Sequence, residues 1–273
     1  MIPPPPRNRL RYPSEILTLA FTLALGSIIV VVLTPFTVGV VLLLVGGGFL
    51  LQWILAATRI RALRRQGIPA EKHPPLQRVV LRCRERLGAR LPTDVFLLDH
   101  QVHNAFATGF STPYTVVAYT GLLEHLDEDE AAFILGHELG HVELRHTAIL
   151  TLVGQLGGHS YGVPYLGMLL RLLFLAWSRV AEHSADRAGL VACGDLSAAV
   201  RALLKVSVGP EQAARTDVAE LIRRWQDQDA GIQDHLGQVL STHPGLSVRI
   251  DRLVDWATAD SQYVAPGTRT RMS

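Results

Sequence analysis

The stretch Leu135-Gly136-His137-Glu138-Leu139-Gly140-His141-Val142 decides how this chain is read. It contains the pattern H-E-x-x-H. Residues four apart on a helix share a face, so His137 and His141 can point two imidazoles at one metal ion. Glu138 sits one residue on from the first of them, near enough to hold a water. Zinc lowers the pKa of such a water toward about 7, and a carboxylate can take its proton as the water attacks a carbonyl. The pattern also arises by chance, so its flanks must support it. They do. Leu126-Asp127-Glu128-Asp129-Glu130 reads as a helix start, with Asp127 as N-cap and Glu130 three residues later, an acidic variant of the capping box. Ala131-Ala132-Phe133-Ile134-Leu135 follows without a breaker. The motif therefore lies about two turns into a helix whose other face is apolar.

Catalytic zinc takes three protein ligands and keeps one position open. In Ser178-Arg179-Val180-Ala181-Glu182-His183-Ser184-Ala185-Asp186, helical spacing puts Arg179, Glu182 and Asp186 on one face. Glu182 is the best third ligand in the sequence; its other reading is a salt bridge with Arg179. Asp186 can accept a hydrogen bond from a ligand imidazole and fix its tautomer. His183 points about a hundred degrees away and is not counted as a ligand. His146 lies off the metal face and reads as a polar surface group or an outer partner. His243, before Pro244, is a loop histidine, either exposed or able to reach the site and bind a developing oxyanion.

The 273 residues can hold one large domain or two small ones. The apolar excess sits in the first sixty residues. Residues 1–65 carry seven arginines and one acid, Glu15, for +6; the total of +2 leaves −4 for the rest. A basic flank on a mildly acidic body excludes a nucleic-acid binder, which needs a basic face on the folded domain. Cys83 and Cys193 lie far apart and suggest no disulfide framework, as in a reducing compartment.

Residues 1–15 form a Pro- and Arg-rich tail. Residues 16–34 are uncharged, Pro35-Phe36-Thr37 interrupts them, and 38–57 give twenty more residues with Gln52 the one strongly polar side chain. About twenty apolar residues cross a bilayer, so 16–57 is predicted to be a transmembrane helical hairpin. Gly39, Gly46, Gly47 and Gly48 permit close helix packing, and Trp53 suits an interface. Arg7, Arg9 and Arg11 precede the hairpin; Arg59, Arg61, Arg64 and Arg65 follow it. Both ends are then cytoplasmic, and so is the catalytic body, on a cell membrane.

A basic linker is expected over 58–75, then a helix over 76–87. Three strands are expected: Asp94-Val95-Phe96-Leu97-Leu98-Asp99, Asn104-Ala105-Phe106-Ala107-Thr108-Gly109-Phe110 and Tyr114-Thr115-Val116-Val117-Ala118-Tyr119. The free edge of such a sheet can hold an extended peptide, although Asn104 reads equally as a turn residue. Residues 147–177 are expected to form two helices lying on the membrane or covering the site, with a further membrane hairpin as the alternative. A helix over 211–227 and an amphipathic one through Leu246, Ile250, Leu253 and Val254 complete the chain.

The order of these motifs resembles the HtpX-like membrane zinc metalloproteases, relatives of the CAAX prenyl proteases. The motifs are the anchor, Asn104-Ala105-Phe106-Ala107-Thr108-Gly109, the zinc motif, Ser178-Arg179-x-x-Glu182-x-x-x-Asp186, and Thr242-His243-Pro244 with Arg249-Ile250. The resemblance implies an α+β, mainly α-helical, zincin-like domain over 76–256 with a small sheet, and a tail over 257–273. It implies one zinc ion on His137, His141 and Glu182, with Glu138 as general base. It implies that Asp186 and Arg179 support the ligands, that His243 lines or gates the site, and that substrate lies along Asn104, Ala105 and Phe106. The implied task is endoproteolysis of damaged or misfolded membrane proteins, with the lipid bilayer as partner and a homo-oligomer left open. A CAAX-type processing protease and a non-catalytic zinc scaffold or sensor are the rival readings. One departure stands out: the segment between the zinc motif and Glu182 is short of the two further membrane helices of that family.

Overall fold

The computed structural model describes residues 12–157, 164–219, 222 and 245–259, with no side-chain description for 32–45, 52, 154–171 and 212. The zinc-motif segment is helix α4, Glu128–Glu143, and Glu130 through Glu143 are all buried in it. Its partners are assembled from both sides in sequence. Before it come α1 (Glu15–Gln66), β1 (Ile68–Pro69), α2 (Pro74–Leu87), β2 (Thr93–Leu98), β3 (Ala105–Thr108), β4 (Tyr114–Tyr119) and the single turn α3 (Thr120–Leu123). After it come α5 (Thr147–Gly157), α6 (Pro164–Cys193), α7 (Leu196–Val208), α8 (Pro210–Ala213) and α9 (Leu246–Ala259).

The three expected strands form within a residue or two of their predicted limits; β-branched and aromatic residues favour the pleat, and β2 and β4 are almost wholly buried. The sheet order is β1-β2-β4-β3. β2 and β4 run parallel from Thr93↔Tyr114 to Leu98↔Tyr119. β3 runs antiparallel to β4, with Ala105 opposite Ala118 and Thr108 opposite Thr115. β1 pairs with β2 through Ile68↔Leu97, inside what the sequence presents as a linker. Two residues are too few to carry a readable period. The His73-Pro74-Pro75 stretch likewise begins a helix. His73 Nδ1 accepts from the Leu76 amide at 3.3 Å, and the prolines fill the first positions of α2, where no N–H is needed.

Helix α6 is one rod of thirty residues, joining the expected 165–177 segment to the Glu182 segment, since nothing between Trp177 and Ser178 breaks it. The expected 211–227 helix is interrupted: α8 stops at Ala213, where the Thr216 amide turns back to the Ala213 carbonyl, and helical backbone resumes at Val218, Ala219 and Ile222. Short polar side chains at Thr216 and Asp217 compete with the helical backbone there. Residues 220, 221 and 223–227 lie outside the described residues.

The predicted non-helical turn at Pro35-Phe36-Thr37 is also absent; α1 is a continuous helix of 52 residues. Straight, it would be ~78 Å long. Its ends nevertheless touch the same domain. Glu15 bonds His146, while Arg64 bonds Thr115 and the Pro113 carbonyl. Thr115 pairs with Thr108, whose hydroxyl meets Thr151, little more than a helical turn from His146. That path covers roughly 45 Å at most, so the axis of α1 turns back between its ends. Among the described residues, no helix is long and apolar enough to cross a membrane.

The tightest packing in the core is α4 on α6. A Cβ added at Gly136 would lie 2.3 Å from the Ala192 Cβ, and one at Gly140 would lie 2.4 Å from the Ala188 Cβ. On the opposite face, a Cβ at Gly189 would meet the Phe133 carbonyl oxygen at 2.7 Å. These residues recur at spacings of three and four, so each helix presents one smooth stripe to the other. Gly140→Val is expected to lower stability by about 1–3 kcal/mol or more through overpacking, read as a fall in the midpoint of thermal or denaturant unfolding.

Cys83 and Cys193 are free and buried in this core, as their separation in sequence suggests. Burial pushes both thiols up to about 12. Both are expected to resist a thiol-specific disulfide reagent at pH 8 in the native protein and to react once it is denatured.

Candidate metal centre and active site

Both ends of α4 are fixed before its histidines come into play. The predicted capping box forms: Asp127 accepts from the Glu130 amide at 2.8 Å, and Glu130 accepts from the Asp127 amide at 2.9 Å. The buried Glu130 carboxylate also receives Arg201 at 2.9 Å and Lys205 at 2.7 Å, both from α7. At the other end, Glu143 accepts the Arg90 and Leu91 amides at 2.8 and 2.6 Å, tying α4 to the loop before β2.

His137 and His141 face one point on α4, and α6 brings Glu182 to it. His137 Nε2 and His141 Nε2 are 3.2 Å apart. Glu182 places Oε2 3.5 Å from the first nitrogen and Oε1 3.4 Å from the second. A tetrahedral ion with bonds of 2.0–2.1 Å holds its ligand atoms about 3.3–3.4 Å apart. The three buried donors thus fit an ion of zinc's size and preference for nitrogen and oxygen.

The other atoms of these donors are also held. His137 Nδ1 lies 2.9 Å from Asp186 Oδ1. Asp186 in turn receives a forked pair from Arg249 on α9, Nε to Oδ2 at 2.9 Å and Nη2 to Oδ1 at 2.5 Å. Arg249 Nη1 also approaches Glu182 Oε2 at 3.6 Å. Burial would raise the Asp186 carboxyl, but the charge and hydrogen bonds of Arg249, with His137, hold it at about 2. Burial would lower the Arg249 guanidinium; the carboxylates around it drive it well above its ordinary value instead. His141 Nδ1 lies 3.1 Å from His146 Nδ1, and His146 Nε2 lies 2.9 Å from Glu15 Oε1.

Glu138 is 9% exposed. Burial pushes its carboxyl up, against the pull of His137 and His141. The backbone of Ala107 on β3 also pulls it down. The Tyr119 amide donates to the Asn104 carbonyl, so the alternation of an antiparallel pair turns the polar groups of Ala105 and Ala107 away from β4. Asn104, Ala105 and Phe106 therefore lie along the free edge of the sheet, on the strand that packs against α4.

The structure brings His137, His141 and Glu182 together, with Asp186 behind His137. Arg179 is half-buried on α6; Arg249, which the sequence offered only as part of a C-terminal motif, is a cation against both Asp186 and Glu182. His183, set aside by its helical angle, stacks on Tyr12 with centroids 5.1 Å apart. His243 lies outside the described residues. The links through His146 and Glu15 were not read from the sequence. The one available signal was that Glu15 is the sole acid in the first 65 residues.

The sequence model of peptidase family M48 matches residues 70–257. Curated relatives are named "Protease HtpX homolog". Those of Burkholderia mallei (strain SAVP1) and Burkholderia pseudomallei (strain 668) are 29% identical over 249 positions, covering 79% of this chain and 86% of theirs. That of Burkholderia multivorans (strain ATCC 17616 / 249) is 29% identical over 245 positions, covering 78% and 84%. No solved structure matches.

Replacing Arg249 by Leu leaves two buried carboxylates without their cation and is expected to cost about 3–5 kcal/mol of stability in the metal-free protein. Arg249→Lys keeps the charge but not the fork, and is expected to fall between Leu and wild type in the same unfolding measurement.

Proposed function

The chain belongs to peptidase family M48 and is an HtpX-like metalloprotease, and on that premise we propose that it is a membrane-anchored zinc endopeptidase. One observation carries the metal reading: two buried imidazole nitrogens 3.2 Å apart, one 3.5 Å and the other 3.4 Å from an oxygen of the buried Glu182 carboxylate, beside the buried Glu138 and an open sheet edge. A zinc ion held by His137, His141 and Glu182 supplies Lewis acidity, polarising the scissile carbonyl and making an attacking water more acidic.

The remaining work falls to the chain's own groups. The outward polar groups of β3 bind an extended substrate strand beside Glu138, which orients the peptide bond. Glu138 takes a proton from the attacking water as the carbon–oxygen bond forms, then gives it to the leaving amine as the carbon–nitrogen bond breaks. Asp186, clamped by Arg249, keeps the His137 proton on Nδ1 and leaves Nε2 free to bind.

The membrane role rests on the two uncharged runs at 16–34 and 38–57 and on the arginines at their ends. Exposed apolar side chains on α1, such as Leu17, Phe21, Ile28 and Val31, support it. The arginines favour a cytoplasmic catalytic domain. Substrates in this reading are protein segments at the cytoplasmic surface of the cell membrane, with damaged or misfolded membrane proteins as the class served.

Glu138→Gln is expected to keep zinc at one equivalent per chain, by atomic absorption on detergent-purified protein. It is expected to slow cleavage of an unfolded protein such as casein by about 10²–10⁴-fold. Equal cleavage rates with zinc retained would remove Glu138 from the reaction. Wild-type activity is expected to disappear on chelation and to return with added zinc.

A further inference from the structure

Glu15 is anomalous. It is a lone acid at the head of a long apolar run, yet it is 1% exposed and so must have partners. Those partners belong to the metal centre. Its Oε1 lies 2.9 Å from His146 Nε2, and its Oε2 receives the Ser184 hydroxyl. Ser184, two residues from Glu182 on α6, accepts the Tyr12 amide at 2.8 Å. His146, also 1% exposed, lies 3.1 Å through Nδ1 from Nδ1 of His141.

Hydrogen-bond bookkeeping allows one arrangement. His141 meets the other donors through Nε2, so its proton sits on Nδ1 and is donated to His146 Nδ1. The His146 proton must then sit on Nε2, where the Glu15 carboxylate accepts it. Without the carboxylate, the other tautomer of His146 becomes available, and it sets N–H against N–H at His141. A second observation shows that this end of the chain is clamped in place. The Tyr12 ring packs on His183 at 5.1 Å and lies under Arg187 and Arg252 at 5.0 and 5.7 Å. Residue 15 also lies outside the 70–257 span of the family match, so family membership does not supply it.

We propose that Glu15, at the start of the N-terminal helix, is a positioning residue of the metal centre, acting through His146 to fix the ring and tautomer of His141. The helix that carries the apolar runs is then part of the site, and metal uptake depends on its docking. The proposal rests on the metal reading given above.

The test uses the full chain in detergent and measures zinc affinity by competition with a chromogenic chelator, without reference to proteolysis. Glu15→Gln, of the same size and without charge, is expected to weaken zinc binding by about 10–100-fold and to alter the visible spectrum of the cobalt-substituted protein. Ser184→Ala is expected to give a smaller loss. His146→Phe is expected to match Glu15→Gln, and the double variant to be no weaker than the weaker single, because both break one path. Unchanged affinity and spectrum in Glu15→Gln would overturn the proposal alone. So would additive losses in the double variant, since Glu15 would then act elsewhere. If Glu15→Gln does not fold, an unchanged affinity in both Ser184→Ala and His146→Phe overturns it. An unaltered chain that takes up no zinc would overturn the metal centre and the proposal together.

Discussion

The close approach of two helices is the constraint on which the site depends. Glu182 reaches the two imidazoles because α4 and α6 meet with almost no side-chain thickness between them. Gly136 and Gly140 supply the smooth stripe on one helix; Ala185, Ala188 and Ala192 supply it on the other. A branched side chain in either stripe would separate the helix axes by more than the tolerance of a metal–ligand bond. Packing density in the core and donor spacing in the site are therefore one quantity.

The donors are then oriented by charge. Each histidine is held from behind by a carboxylate, His137 directly by Asp186 and His141 through His146 by Glu15. The two arms differ in composition. Asp186 is neutralised by a half-buried arginine on α9, whereas Glu15 is met by a hydroxyl and an imidazole N–H. Buried charges are tolerated only with such partners, and the partners come from residues 15, 146, 184 and 249. The centre thus draws the N-terminal helix, the zinc-motif turn and the last helix onto α6, so local disorder in any of them would reach the metal donors.

The sheet contributes a different element. β3 sits at the edge of the four-stranded sheet and packs against α4. The register that sets Ala107 opposite Val116 turns the polar groups of Ala105 and Ala107 outward. Strand pairing thus decides which backbone groups that edge leaves unpaired.

The sequence by itself determined the local chemistry. His137, Glu138 and His141 were readable because their spacing is intrinsic to one helix, and the Asp127–Glu130 cap because it closes within one turn. The three strands were readable from short runs bounded by turn residues, the third of them β-branched and aromatic. Glu182 and Asp186 were reachable because they share a face with the right donor types. Tertiary structure decided what depends on distance across the chain. No period links Glu15 to His146, or Arg249 to Asp186. The fold-back of α1 and the pairing of Ile68-Pro69 were likewise hidden, the first because helical hydrogen bonds are local and indifferent to the path of the axis, the second because two residues hold no pattern. Sequence periodicity records which face a residue occupies; only packing settles which distant face it meets.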